Sequence, residues 1–230
     1  QSTFEGFGID FLMTSDFPAN LISYKSIFVL LGMNPSNYVL TEEDGNVLAD
    51  YLNNGGNLYM EGGDTWAFDA QRAVHPMFKI SGLSDGQSDL STISGQNNAF
   101  TYDMSFTFSG NNSYADRLAA ISPAFVIFKN SSPSYICAVA YNSGTYKTIG
   151  SSFQFGGLNN GNSPSTRIEL LSEYLQFFEV IPKNSITIEL PNSWKMISSN
   201  VLPKNHSIEN IMSEVDDNLR IMKNSYGKIY

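Results

Sequence analysis

The stretch Tyr24–Trp66, YKSIFVLLGMNPSNYVLTEEDGNVLADYLNNGGNLYMEGGDTW, decides how the chain is read. Ser26–Gly32 is a continuous apolar run closed by glycine, the pattern of a strand covered on both faces. Thr41-Glu42-Glu43-Asp44 then opens a helix: Thr41 is a good N-cap, and acidic side chains in the first turn suit the helix dipole. Val47 with Tyr51, and Leu48 with Leu52, lie four apart and form an apolar stripe. Asn54-Gly55-Gly56 stops the helix, glycine being the usual left-handed C-terminal cap. Leu58-Tyr59-Met60 follows as a strand. Strand, helix and strand over this length predict a βαβ unit with parallel strands.

Working outward, Gly8–Thr14 reads as a short strand ahead of this unit. Phe100–Phe108 alternates apolar and polar residues, and Ala124–Phe128 is a compact apolar run; both read as strands. Tyr135–Tyr141 and Tyr146–Gly150 flank Asn142-Ser143-Gly144-Thr145, a hairpin signal. Residues 67–125 otherwise carry few clear signals. A second helix is expected from Ser163-Pro164, with proline in the first turn. Ile168, Leu171, Leu175 and Phe178 make its apolar stripe, and Leu170, Tyr174 and Phe177 widen it. Pro182 ends it. From Lys183 the texture changes to short β segments around a helix capped by Ser207. The expected organisation is a first domain over residues 1–182 and the start of a small β-rich module over 183–230.

Composition narrows the function classes. The 230-residue chain is 42% hydrophobic, enough for a sizeable core, but only 15% charged, so its surface leans on uncharged polar residues. That texture is frequent in exported proteins, and an extracellular or cell-surface location is expected on this compositional ground. The net charge of −9 repels phosphate backbones and anionic lipid, which argues against nucleic acid as a partner. No apolar run approaches the roughly 20 residues that would insert in a membrane as a helix. A single cysteine, Cys137, allows no internal disulfide.

Tyr24–Trp66, together with Tyr146–Leu158 (YKTIGSSFQFGGL) and the Ser163–Phe178 helix, resembles class I glutamine amidotransferase-like domains. The nearer likeness is to a non-catalytic branch found in secreted multidomain bacterial proteins. The tail from Trp194 is similar to a β module that often precedes type IX secretion sorting domains. The resemblance implies an α/β, flavodoxin-like fold: a mostly parallel sheet with flanking helices and added β-hairpins. Such domains also usually carry a strand and helix ahead of the segment matching Gly8, so the chain is expected to be a piece of a longer polypeptide. In the family's enzymes a cysteine follows the strand matching Leu58–Met60, and a histidine follows the strand matching Thr148–Gly150. Here those places read Glu61-Gly62-Gly63-Asp64 and Ser151-Ser152-Phe153-Gln154. A thiolate amidase needs a nucleophile and a base, so no catalytic residue is expected. The implied role is a non-catalytic interaction or scaffold domain with other protein domains or cell-surface glycans as partners. Carbohydrate-binding and peptidase-accessory modules are the alternatives.

Glu61, Gly62, Gly63, Asp64 and Trp66 are the candidate ligand-binding residues, because open α/β sheets bind ligands beyond the carboxyl ends of their strands. The competing structural reading makes Asp64 the N-cap of a short helix through Trp66 and Phe68, with the glycines allowing a tight turn. Another alternative is a cation-dependent hydrolase using carboxylates near Asp64, Asp69 and Asp10. Asp85-Gly86-Gln87-Ser88-Asp89 spaces oxygen ligands like a calcium loop but lacks a distal bidentate Glu. Asp85 and Asp89 are thus the candidate metal ligands, with calcium the one candidate cofactor. A turn held by local hydrogen bonds is the competing reading. Cys137 lies mid-strand without flanking glycines and reads as a small buried hydrophobe. His75 and His206 fall in different modules, with no zinc-like spacing.

Overall fold

The unit read from Tyr24–Trp66 forms around two parallel strands. In a computed structural model, which describes residues 7, 9–15 and 20–181, strand β1 (Ser26–Leu30) pairs with β2 (Asn57–Glu61) through helix α1 (Glu42–Asn53). The helix starts where its cap chemistry says. Thr41 Oγ1 accepts from the Asp44 N–H at 3.1 Å, and Asp44 Oδ2 accepts from the Thr41 N–H at 2.9 Å, a reciprocal capping box. It stops at Gly55, whose φ of +88° suits a residue without a Cβ.

The remaining strands are β3 (Ile80–Ser84), β4 (Thr92–Gly95), β5 (Ser105–Thr107), β6 (Arg117–Ala120), β7 (Phe125–Asn130), β8 (Tyr135–Asn142) and β9 (Lys147–Ser151). Helix α2 spans Arg167–Phe177. The nine strands form one sheet in the order β1-β2-β9-β8-β7-β4-β5, and β6 joins β3 to β8. Only the β1–β2 and β2–β9 pairs are parallel; every other pairing is antiparallel.

This corrects the expected fold class. The described chain is mainly β, a mixed sheet, and not the flavodoxin-like or amidotransferase-like α/β fold with a mostly parallel, helix-flanked sheet. The reason is connection length. Parallel neighbours need a long crossover, usually a helix. Between Glu61 and Lys147 the longest helical piece is the 3-10 turn His75–Phe78, and the strands there run back through short connections. Strands β3 (ISGLS) and β4 (TISG), like β6, are short and interrupted by small residues, so they carry little periodic signal.

The expected elements shift in three further places. Residues 9–15 contain no strand, against the reading of Gly8–Thr14. In Phe100–Phe108 only Ser105–Thr107 is extended, because residues 100–103 turn. Helix α2 begins at Arg167, capped by Thr166, whose Oγ1 accepts from the Glu169 N–H at 3.3 Å. A threonine with an acid three residues on outcompetes Ser163-Pro164 as the start. Ile168 consequently faces out, while Leu171, Leu175 and Phe178 are buried. The module expected over residues 183–230, with His206, lies outside the described residues.

The parallel strands are covered on both faces. Leu58 and Met60 of β2 join Leu48, Tyr51 and Leu52 of α1 in one apolar cluster. Tyr59, one residue out of phase, joins Leu170 and Tyr174 of α2 with Phe128, Ile149 and Phe153 in the other. Alternation along β2 thus divides its side chains between two cores. Between them, at the carboxyl ends of β1, β2 and β9, lies the Gly62-Gly63 turn.

Candidate functional site

The turn is built by close approach. The Gly62 N–H donates to Ser151 O and the Gly63 N–H to Gly32 O, both at 3.1 Å, so the turn ties β9 to the end of β1. A Cβ on Gly62 would stand 3.1 Å from Leu31 Cβ, and one on Gly63 2.7 Å from Met33 Cε and 3.2 Å from Tyr114 O. Neither glycine has positive φ; the space, not left-handed backbone, demands them.

Asp64 does not cap the turn, against the structural reading of its position. Its carbonyl accepts from the Phe68 and Asp69 N–H groups at 3.1 and 2.7 Å. The orphan N–H groups of Trp66 and Ala67 donate instead to Asp116 Oδ2, each at 2.8 Å. The Asp116 N–H in turn donates to Gly63 O at 3.0 Å. The cap arrives from far along the chain, just before β6. No local spacing in the sequence could have pointed to it.

That exchange leaves the Asp64 carboxylate without a role in the turn. Asp64 is 3% exposed, and no hydrogen bond reaches its carboxylate among the described residues. Burial pushes it up to about 6, with the charges of Asp69 and Asp85 adding to the effect. Asp116 is completely buried, and its Oδ1 has no partner. Burial pushes it up to about 7, against the lowering effect of the two N–H donors; Asp64 and Asp85 raise it further. The third acid, Asp85, also has a buried oxygen without a partner, Oδ1. Asp85 is brought in through its neighbour: a Cβ on Gly86 would lie 2.2 Å from Ala115 O. Asp69 stands beside them and accepts from Asn37 Nδ2 at 3.4 Å.

The other expected site residues are placed differently. Glu61 is buried on the α2 side of the sheet, where its Oε2 accepts from Tyr59 Oη at 2.6 Å and from the Phe155 N–H at 2.7 Å. Burial raises it to about 7 despite both bonds. Trp66 is a core residue. Its Nε1–H donates to Ser151 O at 2.9 Å, and its ring meets His75 and Phe78 edge-on. Asp89 is committed, with Oδ2 2.7 Å from Arg117 Nη2 and Oδ1 accepting from Tyr135 Oη at 2.9 Å. The pair expected at Asp85 and Asp89 is thereby split, one acid paired with Arg117 and the other carrying a buried oxygen without a partner. Among the described residues no group of three or more His, Cys, Asp or Glu side chains is placed to hold a metal ion.

The potential nucleophiles and bases are engaged elsewhere. Cys137 is fully buried in β8, and burial pushes its thiol far above the ordinary range. Burial holds His75 down to about 4; its Nδ1 accepts from the Arg72 N–H at 2.7 Å, while its Nε2 is buried without a hydrogen-bond partner. Ser151 Oγ donates to Phe153 O at 2.8 Å and Ser152 Oγ to Cys137 O at 3.3 Å. Two surface hollows, of about 420 Å³ beside Gln96 and Phe125 and about 300 Å³ beside Ile22 and Tyr51, share no residue with the turn.

No family model and no curated protein matches the chain. Solved structures do resemble it. The N-terminal domain of mmIFT52 is 15% identical with a TM-score of 0.51, over 73% of this chain and 81% of that one. The cytoplasmic protein STM3548 from Salmonella typhimurium is 14% identical with a TM-score of 0.52, over 71% of this chain and 76% of that one. A β-galactosidase from Rahnella sp. R3 is 7% identical with a TM-score of 0.48, over 70% of this chain but 24% of its own. At such identities the first two likenesses speak for the fold alone. They bring no support for an amidotransferase-like or secretion-associated assignment.

Proposed function

We propose that the described domain is a non-catalytic interaction module whose contact face is the turn at the carboxyl end of β2. The supporting observation is that the segments carrying Asp64, Asp85 and Asp116 also carry exposed apolar groups. Phe68 follows Asp64 and is 71% exposed; Leu83 precedes Asp85 and is 65% exposed; Tyr114 precedes Asp116 and is 46% exposed. Large apolar side chains held in water around one turn mark contact surfaces. Their partner is a protein surface carrying apolar and basic groups. Burial of Trp66, one of the aromatic rings able to stack on a sugar, weighs against its use for a glycan partner. An extracellular or cell-surface location remains part of this reading and rests on composition alone.

The commitment of Cys137, Ser151 and Ser152 to buried structural contacts, with His75 held inside the core, supports the non-catalytic part. The test is a turnover screen of the purified chain against glutamine, simple amides, esters and aryl glycosides, with and without divalent cations, run beside a glycan array. No turnover and no glycan retention are expected. Turnover that vanishes in Asp64→Asn would establish an enzyme, and glycan binding lost on Tyr114→Ser would establish a sugar module.

A further inference from the structure

We infer that the notch beside the first half of β7 binds an extended, uncharged stretch of polypeptide, which continues the β4 ladder along that strand. The notch shares no residue with the β2 turn, and the inference does not depend on the interaction reading.

Strand β7 outruns its neighbour. Strand β4 pairs with it from Ile93 opposite Asn130 to Gly95 opposite Phe128, and ends there. Phe125 and Val126 pair with Ala140 and Val139 of β8 on one side. On the other side no strand among the described residues reaches them. The cause is the turn that follows β4. The Gly95 N–H donates to Met104 O at 2.8 Å, and a Cβ on Gly95 would stand 1.7 Å from Thr101 O, so only glycine lets the chain fold back this tightly. Asn98 has a φ of +66° in the same turn, a left-handed conformation that asparagine tolerates better than most residues. Thr101 Oγ1 donates to Ile127 O at 2.6 Å and closes the edge at that point. Beyond it lies a hollow of about 420 Å³, walled by Gly95, Gln96, Asn97 and Asn98 on one side and by Phe125 and Val126 on the other.

The walls choose the occupant. No ionisable side chain lines the hollow, although the chain carries a net charge of −9. The hollow therefore offers nothing to an ion, a phosphate or a basic group, and suits a neutral occupant. Its free polar groups are carboxamides. Asn97 and Asn98 are exposed, and among the described residues no hydrogen bond engages either side-chain amide. Each offers a donor and an acceptor, the same pair that a peptide group presents. The opposite wall is a strand edge, and open strand edges take extended chains through main-chain hydrogen bonds. Phe125 adds an apolar surface for one side chain of the occupant. Its ring is held by Phe100 and Phe177, with centroids 6.2 and 6.1 Å away. A sugar would use the amides and the ring but leave the strand edge idle; an extended peptide uses all three.

The experiment titrates the isotope-labelled full chain with the end-blocked tetrapeptide Thr-Val-Thr-Val and follows amide shifts by NMR. A twin peptide methylated on every backbone nitrogen, and N-acetylglucosamine, are run beside it. Saturable shifts are expected at the Phe125 and Val126 backbone amides and at the Asn97 and Asn98 side-chain amides. The methylated twin cannot donate to the strand edge and is expected to bind about tenfold more weakly or worse, since each lost hydrogen bond is worth about 1 kcal/mol. Asn98→Gly keeps the left-handed backbone without strain but removes one carboxamide, and is expected to weaken binding about fivefold. Phe68→Ser, at the β2 turn, is expected to leave it unchanged. Absence of saturable shifts, equal binding by the methylated twin or by Asn98→Gly, shifts confined to the β2 turn, or saturation by the sugar in place of the peptide overturns the site.

Discussion

Glu61 shows at the scale of one residue how a side chain can be correctly noticed and wrongly placed. The sequence puts it in a ligand site beside Asp64. Successive residues of a strand point to opposite faces, so with Tyr59 it turns toward α2 and pins the Phe155 backbone to β2. Its carboxyl is held protonated up to about 7, above the ordinary value of 4.5. The protonated form therefore favours the fold fully below the unfolded value, and that contribution is lost as pH rises through the folded one. Glu61→Gln keeps an acceptor for both donors without the charge. The variant is expected to match the parent near pH 5 and to exceed it at pH 8 by up to about 3 kcal/mol, because each tenfold change in proton affinity is worth about 1.4 kcal/mol. Denaturant unfolding at the two pH values measures it. A variant less stable at both would show that the shape of the carboxyl matters more than its charge.

At the scale of elements, the two helices are legible because their signals are local. Thr41 and Asp44, three apart, hold each other's N–H groups, and Thr166 with Glu169 makes a related local pair on α2. Thr41→Ala is expected to cost about 1 kcal/mol. The loss should appear in urea titration as a lower midpoint with an unchanged slope. The helices also fix what the sequence could say about β1 and β2, since a strand, a capped helix and a second buried strand leave one economical pairing. The strands of residues 80–120 have no such help. Their partners are distant in sequence, as Ile80 with Ala120 and Thr92 with Thr107 show.

The whole molecule carries an unusual set of protons. Glu61, Asp64 and Asp116 are raised, mainly by burial. Each stabilises the fold when protonated, and each contribution is lost as pH climbs through about 6 to 7. His75 works the other way. Its folded value, lowered to about 4 by burial, means that the unfolded chain gains a proton from about 6.5 downward and the fold does not. Burial raises Asp69 in the same direction, so four carboxyls of the described residues stand against His75 and predict that stability rises as pH is lowered from about 8 to about 5.5. Thermal unfolding in EDTA checks this, and a midpoint that falls over that interval would contradict it.

By itself the sequence determined the chain's acidic character, the βαβ unit of Tyr24–Trp66, the existence of both helices, and the commitment of Cys137 to a buried strand. All of these rest on residues within a few positions of one another, where propensity and capping act. It also singled out the Gly62-Gly63-Asp64 turn. Only the tertiary structure decided that the sheet is mixed, that Asp116 caps that turn in place of Asp64, and that Asp64, Asp85 and Asp116 share one junction. Those outcomes depend on hydrogen bonds and close backbone contacts between segments far apart in the chain, and no spacing along a sequence encodes which distant donor or acceptor will arrive.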